Sequence, residues 1–470
     1  TFDGKAVSFE RDGGSFFVNT PTVMHRGDVY SITVAYSGYP KEAGRFGGVL
    51  FRQDEAGRPW IATSCEDSGA SIWWPNKDQW ADEPQDGMTL AVEVPKGLMD
   101  VSNGRLQTQV ELNDGYTRWT WRVTDPINNY DVALNIGKYE HFSDRLGKLT
   151  LDFYALPESL AKARMQFAQA KPMLAIYNRY FGPYPFARDG YKLIEVPYSG
   201  MEHQSAVAYG NHFKNSYGAK DWTGVGISPR FDFIIIHESA HEWFGNSVSA
   251  ADRNDMWIHE GFTTYAEDVY VEARWGHQDA IRYINGLKQK VKLAYPIVGE
   301  ENVGRVPPDE DQYFKGALFL NTLRSVVNDD KLWYKTLHDF AVHFRHQNVR
   351  TDDVIAYYNQ HLHHDDTALF NEYLRHAALP ELQLETGSKA GTLRYRWKSS
   401  ETNFDMPIRV GDPQHWTLLH PTAEWQTVAG SPETLAVATD LYFIQVSRNG
   451  VVDPLVKVVA SDLPGALKGK

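Results

Sequence analysis

Three runs in the first part of the chain alternate apolar and polar residues at period two: Tyr30-Ile32-Val34-Tyr36, Leu90-Val92-Val94 and Trp119-Trp121-Val123. Successive side chains of a strand point to opposite faces, so these runs predict half-buried strands. Gly13-Gly14, Asn113-Asp114-Gly115 and Pro126 punctuate them as turns. The period changes after Leu156. Residues 157–180 are dense in Ala, Leu, Lys, Gln and Met, a helical composition that Phe181-Gly182-Pro183-Tyr184-Pro185 brings to an end. A short β region is expected at 191–196, followed by a loop through Ser199-Gly200-Met201-Glu202-His203. Ser228 before Pro229 reads as an N-cap with proline at the first helical position, opening a helix over 231–245. Asp255 is the expected N-cap of the next helix, which ends near Gly276, and further helices are expected from Gln312 to His376. From Leu382 onward alternation returns in Leu393-Tyr395-Trp397, Ile408-Val410 and Tyr442-Ile444-Val446, a small all-β unit. The organisation expected is multidomain α+β, with a β domain over 1–153, a mostly helical domain over 154–381 and a β domain over 382–470.

Within the helical stretch, His237-Glu238-Ser239-Ala240-His241 is followed after eighteen residues by Glu260, inside Trp257-Ile258-His259-Glu260-Gly261-Phe262. Histidines four apart on a helix stand on one face, one turn above each other, so their imidazoles can converge on one metal ion. Zinc takes N and O ligands in a tetrahedral shell and, when catalytic, keeps one position for water. His237, His241 and Glu260 are the expected ligands of one zinc ion per chain, and Glu238 is placed to act as general base on the bound water.

The net charge of −13 argues against nucleic acid and anionic membranes as partners, since phosphate binding needs a basic surface. An acidic cleft instead attracts cations such as a free peptide amine. A single cysteine, Cys65, excludes an internal disulfide. No apolar run reaches the length of a membrane-spanning helix. The chain opens Thr-Phe-Asp-Gly, without Met or an apolar leader, so a processed or cut start is expected. A soluble protein, cytoplasmic or exported, fits all of this.

The residues resemble the aminopeptidase N family of gluzincin zinc peptidases over nearly the whole chain. Four blocks carry the likeness by their order and spacing: 237–241, 257–262, Gly200-Met201-Glu202, and Gln312-Tyr313-Phe314-Lys315-Gly316-Ala317. The resemblance implies a β saddle domain, a thermolysin-like catalytic domain and a small β-sandwich. It also implies a chain that begins inside the first domain and lacks the family's helical solenoid. It assigns Tyr313 as donor to the oxyanion of the reaction. Glu202 becomes the acid that binds the substrate's α-amine, beside Gly200 and Met201 of the exopeptidase motif. Ser64-Cys65-Glu66-Asp67 resembles the first-domain strand that gives a second amine contact, at Glu66. Glu267, seven residues after Glu260 and two helical turns on, matches an acid that orients a histidine ligand. The exopeptidase motif departs from its usual Gly-x-Met-Glu-Asn form at Ser199 and His203.

The activity so implied is release of single residues from peptides with a free amino terminus, by a monomer. A thermolysin-type zinc endopeptidase would need only His237, Glu238, His241 and Glu260. An epoxide hydrolase would need a long apolar tunnel, of which the sequence gives no sign. A metal-free interaction module does not fit a chain that keeps the ligands, the base and the tyrosine. His361-Leu362-His363-His364-Asp365-Asp366 reads as a solvated loop between helices, and His338, His343 and His346 as ordinary helix positions. Cys65 reads as a small buried apolar residue. Gly44-Arg45-Phe46-Gly47-Gly48 lacks the Gly-Lys-Ser/Thr of a phosphate loop.

Overall fold

The computed structural model describes residues 1–42, 48–66, 69–77, 79, 81–300 and 308–455. Asp67 and positions 44–47 of the glycine-rich segment lie outside the described residues.

The first part of the chain is β, as its alternation predicts. Met88–Pro95, Tyr116–Val123 and Arg105–Glu111 form an antiparallel three-stranded sheet in which Val92 faces Trp119 and Leu90 faces Trp121. One face of it buries Leu90, Val94, Trp119, Trp121 and Val123. A four-stranded sheet runs in the order Gly48–Gln53, Pro59–Ser64, Asn135–Gly137, Met99–Asp100. Gly13-Gly14 turns the hairpin Phe9–Asp12 with Ser15–Val18. The strand expected at Tyr30-Ile32-Val34-Tyr36 does not form. Ile32 makes one bridge, to Phe2, and the other backbone bonds run to residues 1–3, too short a partner for a ladder. Tyr36 accordingly stays 60% exposed.

A five-stranded sheet supports the centre of the molecule. Its order is Glu140–Leu146, Leu149–Ala155, Tyr191–Glu195, Val207–Tyr209, Gly200–Met201, so it straddles the 153/154 division expected from sequence. Gly200–Met201 is its outermost strand and pairs antiparallel with Val207–Tyr209. The expected helix at 157–180 forms as Leu160–Gln166 and Ala170–Phe181 with short 3-10 turns, and Gly182 ends it at φ +89°.

The metal-motif helix is Phe233–Ala240, shorter than expected, and its cap is Asp232 rather than Ser228. Ser228-Pro229-Arg230 closes a separate 3-10 turn. Asp232 prevails because one of its oxygens accepts from the free amides of Ile234 and Ile235, at 3.1 and 3.4 Å. Tyr209 and Gln166 donate to its other oxygen. The next helix, Trp257–Trp275, is buried all round as far as Val271 and ends on Gly276. Asp255 is not its cap. It accepts from the amide and hydroxyl of Thr351 instead, tying the start of this helix to a later one.

Helices His277–Gly286, Asp311–Val327, Asp330–His343, Thr351–Leu362 and Thr367–Leu374 follow. The helical run is interrupted by a strand, Gln347–Val349, which pairs with Val248–Ala250. Trp257–Trp275 and Asp311–Val327 cross at Gly261 and Gly316, where a Cβ on Gly316 would stand 3.0 Å from the Cα of Gly261. Close approach of the two backbones requires glycine on both sides.

The C-terminal part forms a five-stranded sheet ordered Gln426–Ala429, Thr392–Lys398, Glu381–Thr386, Gln445–Arg448, Val451–Val452, beside the pair Ile408–Asp412 and His415–Leu419. Tyr442 and Ile444 precede the strand Gln445–Arg448 and are buried without joining it, so only Val446 of that expected run is in a strand. Among the described residues no helix is long and apolar enough to cross a membrane.

Candidate active site

The capped helix Phe233–Ala240 presents His237, and its C-cap residue His241 follows one turn on, their rings 5.0 Å between centroids and nearly perpendicular. Each ring is oriented through Nδ1. His237 Nδ1 lies 2.6 Å from Oε1 of Glu267, whose Oε2 accepts from the Tyr283 hydroxyl at 2.5 Å. His241 Nδ1 lies 2.9 Å from the carbonyl oxygen of Phe244 and 3.1 Å from the Thr263 hydroxyl. With Nδ1 engaged, Nε2 of both rings is turned toward one carboxylate. Oε2 of Glu260 stands 3.6 Å from His237 Nε2 and 3.4 Å from His241 Nε2, with no hydrogen-bond donor of its own.

Ligand bonds of about 2.1 Å in a tetrahedron place donors about 3.4 Å apart, so both acid-to-imidazole distances are those of a zinc shell. Two imidazoles and a carboxylate are also a donor set that zinc accepts. Among the described residues, His237, Glu238 and His241 are the one group of three His, Cys, Asp or Glu side chains whose ligand atoms all lie within 4.8 Å of one another. Glu260 is the acid with one oxygen facing Nε2 of both imidazoles. Burial opposes the charge on Glu260, yet His241 and His237 together hold its carboxyl well below the ordinary range.

Glu238 is buried beside the two imidazoles. Burial pushes its carboxyl up to about 7, with Glu202 adding to the rise and His237 opposing it. The strand Gly200–Met201 passes directly over it. A Cβ on Gly200 would stand 2.7 Å from Ile234 and 3.1 Å from Glu238 Oε1, so only glycine lets the strand approach the motif helix this closely. Met201 is buried, with its sulfur 3.8 Å from the Ser64 hydroxyl. Glu202 follows at 3% exposure, its carbonyl held by Asn246 and its Oε1 receiving the Tyr130 hydroxyl at 3.0 Å.

Tyr313, the third residue of helix Asp311–Val327, lies parallel to His237 at 6.2 Å. Burial, then Glu260 and Glu66, push its phenol well above the ordinary value, so it stays a neutral donor. Glu66 follows the strand Pro59–Ser64 and lies close enough to act electrostatically on both Tyr313 and Tyr130. The ten residues singled out from sequence therefore gather around one cleft.

The two departures from the exopeptidase motif are accommodated differently. The Ser199 hydroxyl accepts from Tyr217 and borders a cavity of about 560 Å³ reaching Trp60 and His212. His203 is fully buried with no hydrogen-bond partner at either ring nitrogen, and burial pushes it down to about 3, so it is neutral.

Sequence reasoning missed Thr263, Tyr283 and Tyr130. Thr263 was within reach of it, being three residues after Glu260 and so on the same face of the helix. Tyr283 and Tyr130 carry no local signal. Of the positions set aside, His361 and His364 make local contacts. His361 stacks on Tyr357 and His364 pairs with Asp366 at the end of a helix. Cys65 is buried, and burial pushes its thiol up to about 11.

Residues 165–373 match the Peptidase family M1 domain. The chain is 25% identical over 280 residues to aminopeptidase Ey of Gallus gallus, covering 54% of this chain and 28% of that protein. It is 25% identical over 353 residues to endoplasmic reticulum aminopeptidase 1 of Rattus norvegicus, covering 70% and 36%. With leucyl aminopeptidase of Saccharolobus solfataricus it shares 24% identity over 319 residues, covering 65% and 40%. The chain thus spans less than half the length of these curated relatives. The fold matches that of the M1 zinc metallopeptidase from Deinococcus radiodurans with a TM-score of 0.62 and 22% identity, over 81% of this chain and 83% of that one.

Proposed function

We propose that this chain, whose residues 165–373 match the Peptidase family M1 domain, is a zinc-dependent aminopeptidase releasing one residue at a time from peptides with a free amino terminus. The observation that carries the reading is the position of Glu202, held by Tyr130 and close enough to His241 and Glu260 for both to act on it electrostatically. A protease that cut internally would have no use for a buried acid at that point.

His237, His241 and Glu260 would hold one zinc ion, which when bound supplies a Lewis acid and a water of pKa about 7. Glu267 and the Phe244 carbonyl hold the two imidazoles in the tautomer that leaves Nε2 free. Glu238 takes the proton from the attacking water and delivers it to the leaving amine. Tyr313 donates to the oxygen of the former carbonyl as negative charge builds there. Glu202 and Glu66 together receive the substrate's ammonium, a charge-assisted contact that counts residues from the amino end. The outermost strand, Gly200–Met201, leaves an edge along which an extended peptide can lie. One chain supplies every one of these groups, which supports a monomeric enzyme.

The test is hydrolysis of aminoacyl fluorogenic amides and their N-acetylated twins by the zinc-loaded protein. Cleavage of the free-amine member alone is expected. Equal cleavage of both members would replace this reading with an endopeptidase.

A further inference from the structure

We propose that Tyr130, contributed by the N-terminal β region, is a positioning residue that fixes Glu202 in the rotamer that reads the substrate's amine; the proposal rests on the aminopeptidase reading above. The Tyr130 hydroxyl donates to Glu202 Oε1 at 3.0 Å, across 72 positions of sequence. Tyr130 is 0% exposed, whereas Glu202 keeps 3%, so the phenol cannot touch substrate and must act through the carboxylate. Its proton is secure, because burial, then Asp131 and Glu202, push the phenol well above its ordinary value. A glutamate has three side-chain torsions to fix, and one strong donor on Oε1 leaves Oε2 as the oxygen offered to an ammonium.

The surroundings are built to hold this contact. Tyr130 sits in a short turn, Asn129–Asp131, capped by Asn128, whose side chain accepts from the Tyr130 amide. Nδ2 of Asn103 donates both to the Asp131 carbonyl at 2.9 Å and to the Gln204 carbonyl at 2.7 Å, while its Oδ1 accepts from Ala133. One amide thus ties the residue after Tyr130 to the segment just after Glu202. The Tyr130 ring packs in one apolar cluster with Cys65 and Met201, the residues immediately before Glu66 and Glu202. One apolar cluster therefore holds Tyr130 together with the residues that precede both proposed amine-binding acids.

The test compares wild type, Tyr130→Phe, Glu202→Gln and the double variant on one free-amine aminoacyl amide, with zinc content and melting temperature measured for each. For Tyr130→Phe the expected result is a rise in KM of about tenfold, kcat within about threefold, and unchanged zinc content. In the Glu202→Gln background the same change should add less than about twofold, since the two residues act as a unit. Equal loss in both backgrounds, or a loss of kcat at unchanged KM, would overturn the proposal. Should Tyr130→Phe fail to fold, Asn103→Ala is the second variant. It loosens the tie between the two loops and should give the same KM-selective loss, whereas an unchanged KM would count against the proposal. A wild type indifferent to N-acetylation overturns the aminopeptidase reading and this inference together; a discriminating wild type with an unaffected Tyr130→Phe overturns Tyr130 alone.

Discussion

His237 and Glu267 are joined by a 2.6 Å contact between Nδ1 and Oε1, thirty positions apart and wholly buried. Tyr283 donates to the far oxygen of the same carboxylate, so ring, acid and phenol form one chain of contacts ending at the proposed metal position. Glu267→Ala should weaken zinc binding roughly 10- to 100-fold, read by competition with a chelator. Glu267→Gln keeps an oxygen to accept from Nδ1 and should lose less. Equal zinc affinity in all three proteins would remove Glu267 from this role.

Glu238→Gln keeps shape and removes the proposed base. We expect kcat to fall by roughly 10²- to 10⁴-fold while zinc content and melting temperature hold. A variant that retains most of its kcat would point to another base.

Tyr313→Phe removes only the hydroxyl. The expected loss is roughly 10²- to 10³-fold in kcat with KM little changed, because the hydrogen bond strengthens as charge develops. A change confined to KM would make the residue a substrate contact instead.

A separate prediction concerns acid stability. Burial works against the charge on Glu272, but hydrogen bonds from His277 and Arg324 outweigh it and hold the carboxyl down at about 2. A carboxyl depressed in the folded state stabilises it fully above the unfolded value of about 4.3, and that contribution is lost as pH falls toward 2. Arg324→Met removes one of the two hydrogen-bonding partners and should therefore cost roughly 1–2 kcal/mol at pH 7 in urea unfolding, after allowance for solvent screening. The gap to wild type should narrow between pH 5 and pH 3; a gap independent of pH would refute the link to Glu272.

The chemistry of the cleft was readable where it depends on residue type at helical spacing. His237 and His241 share a face because they are four apart, and Glu260 and Glu267 share one because they are seven apart. What could not be read are pairings set by tertiary packing, such as Tyr130 with Glu202 or Tyr283 with Glu267. The helix cap illustrates the limit. Ser228-Pro229 has the stronger local signature, but Asp232 prevails because its carboxylate is also wanted by Tyr209, Gln166 and Asn211 from distant segments. Alternation misled in the same way at Tyr30-Ile32-Val34-Tyr36, since periodicity records which face a strand would bury and says nothing of whether a neighbour exists to pair with it.

Gly261 adjoins the proposed ligand Glu260, and Gly316 lies one turn from Tyr313, so the crossing of their helices sets the spacing between acid and phenol through main-chain atoms. Side chains loosen on heating by hopping between rotamers, but a junction without side chains has no such freedom. Warming should consequently leave turnover intact until the whole protein melts, with the activity and circular-dichroism curves falling together. A protein that lost turnover well before its ellipticity would have a softer joint elsewhere in the cleft.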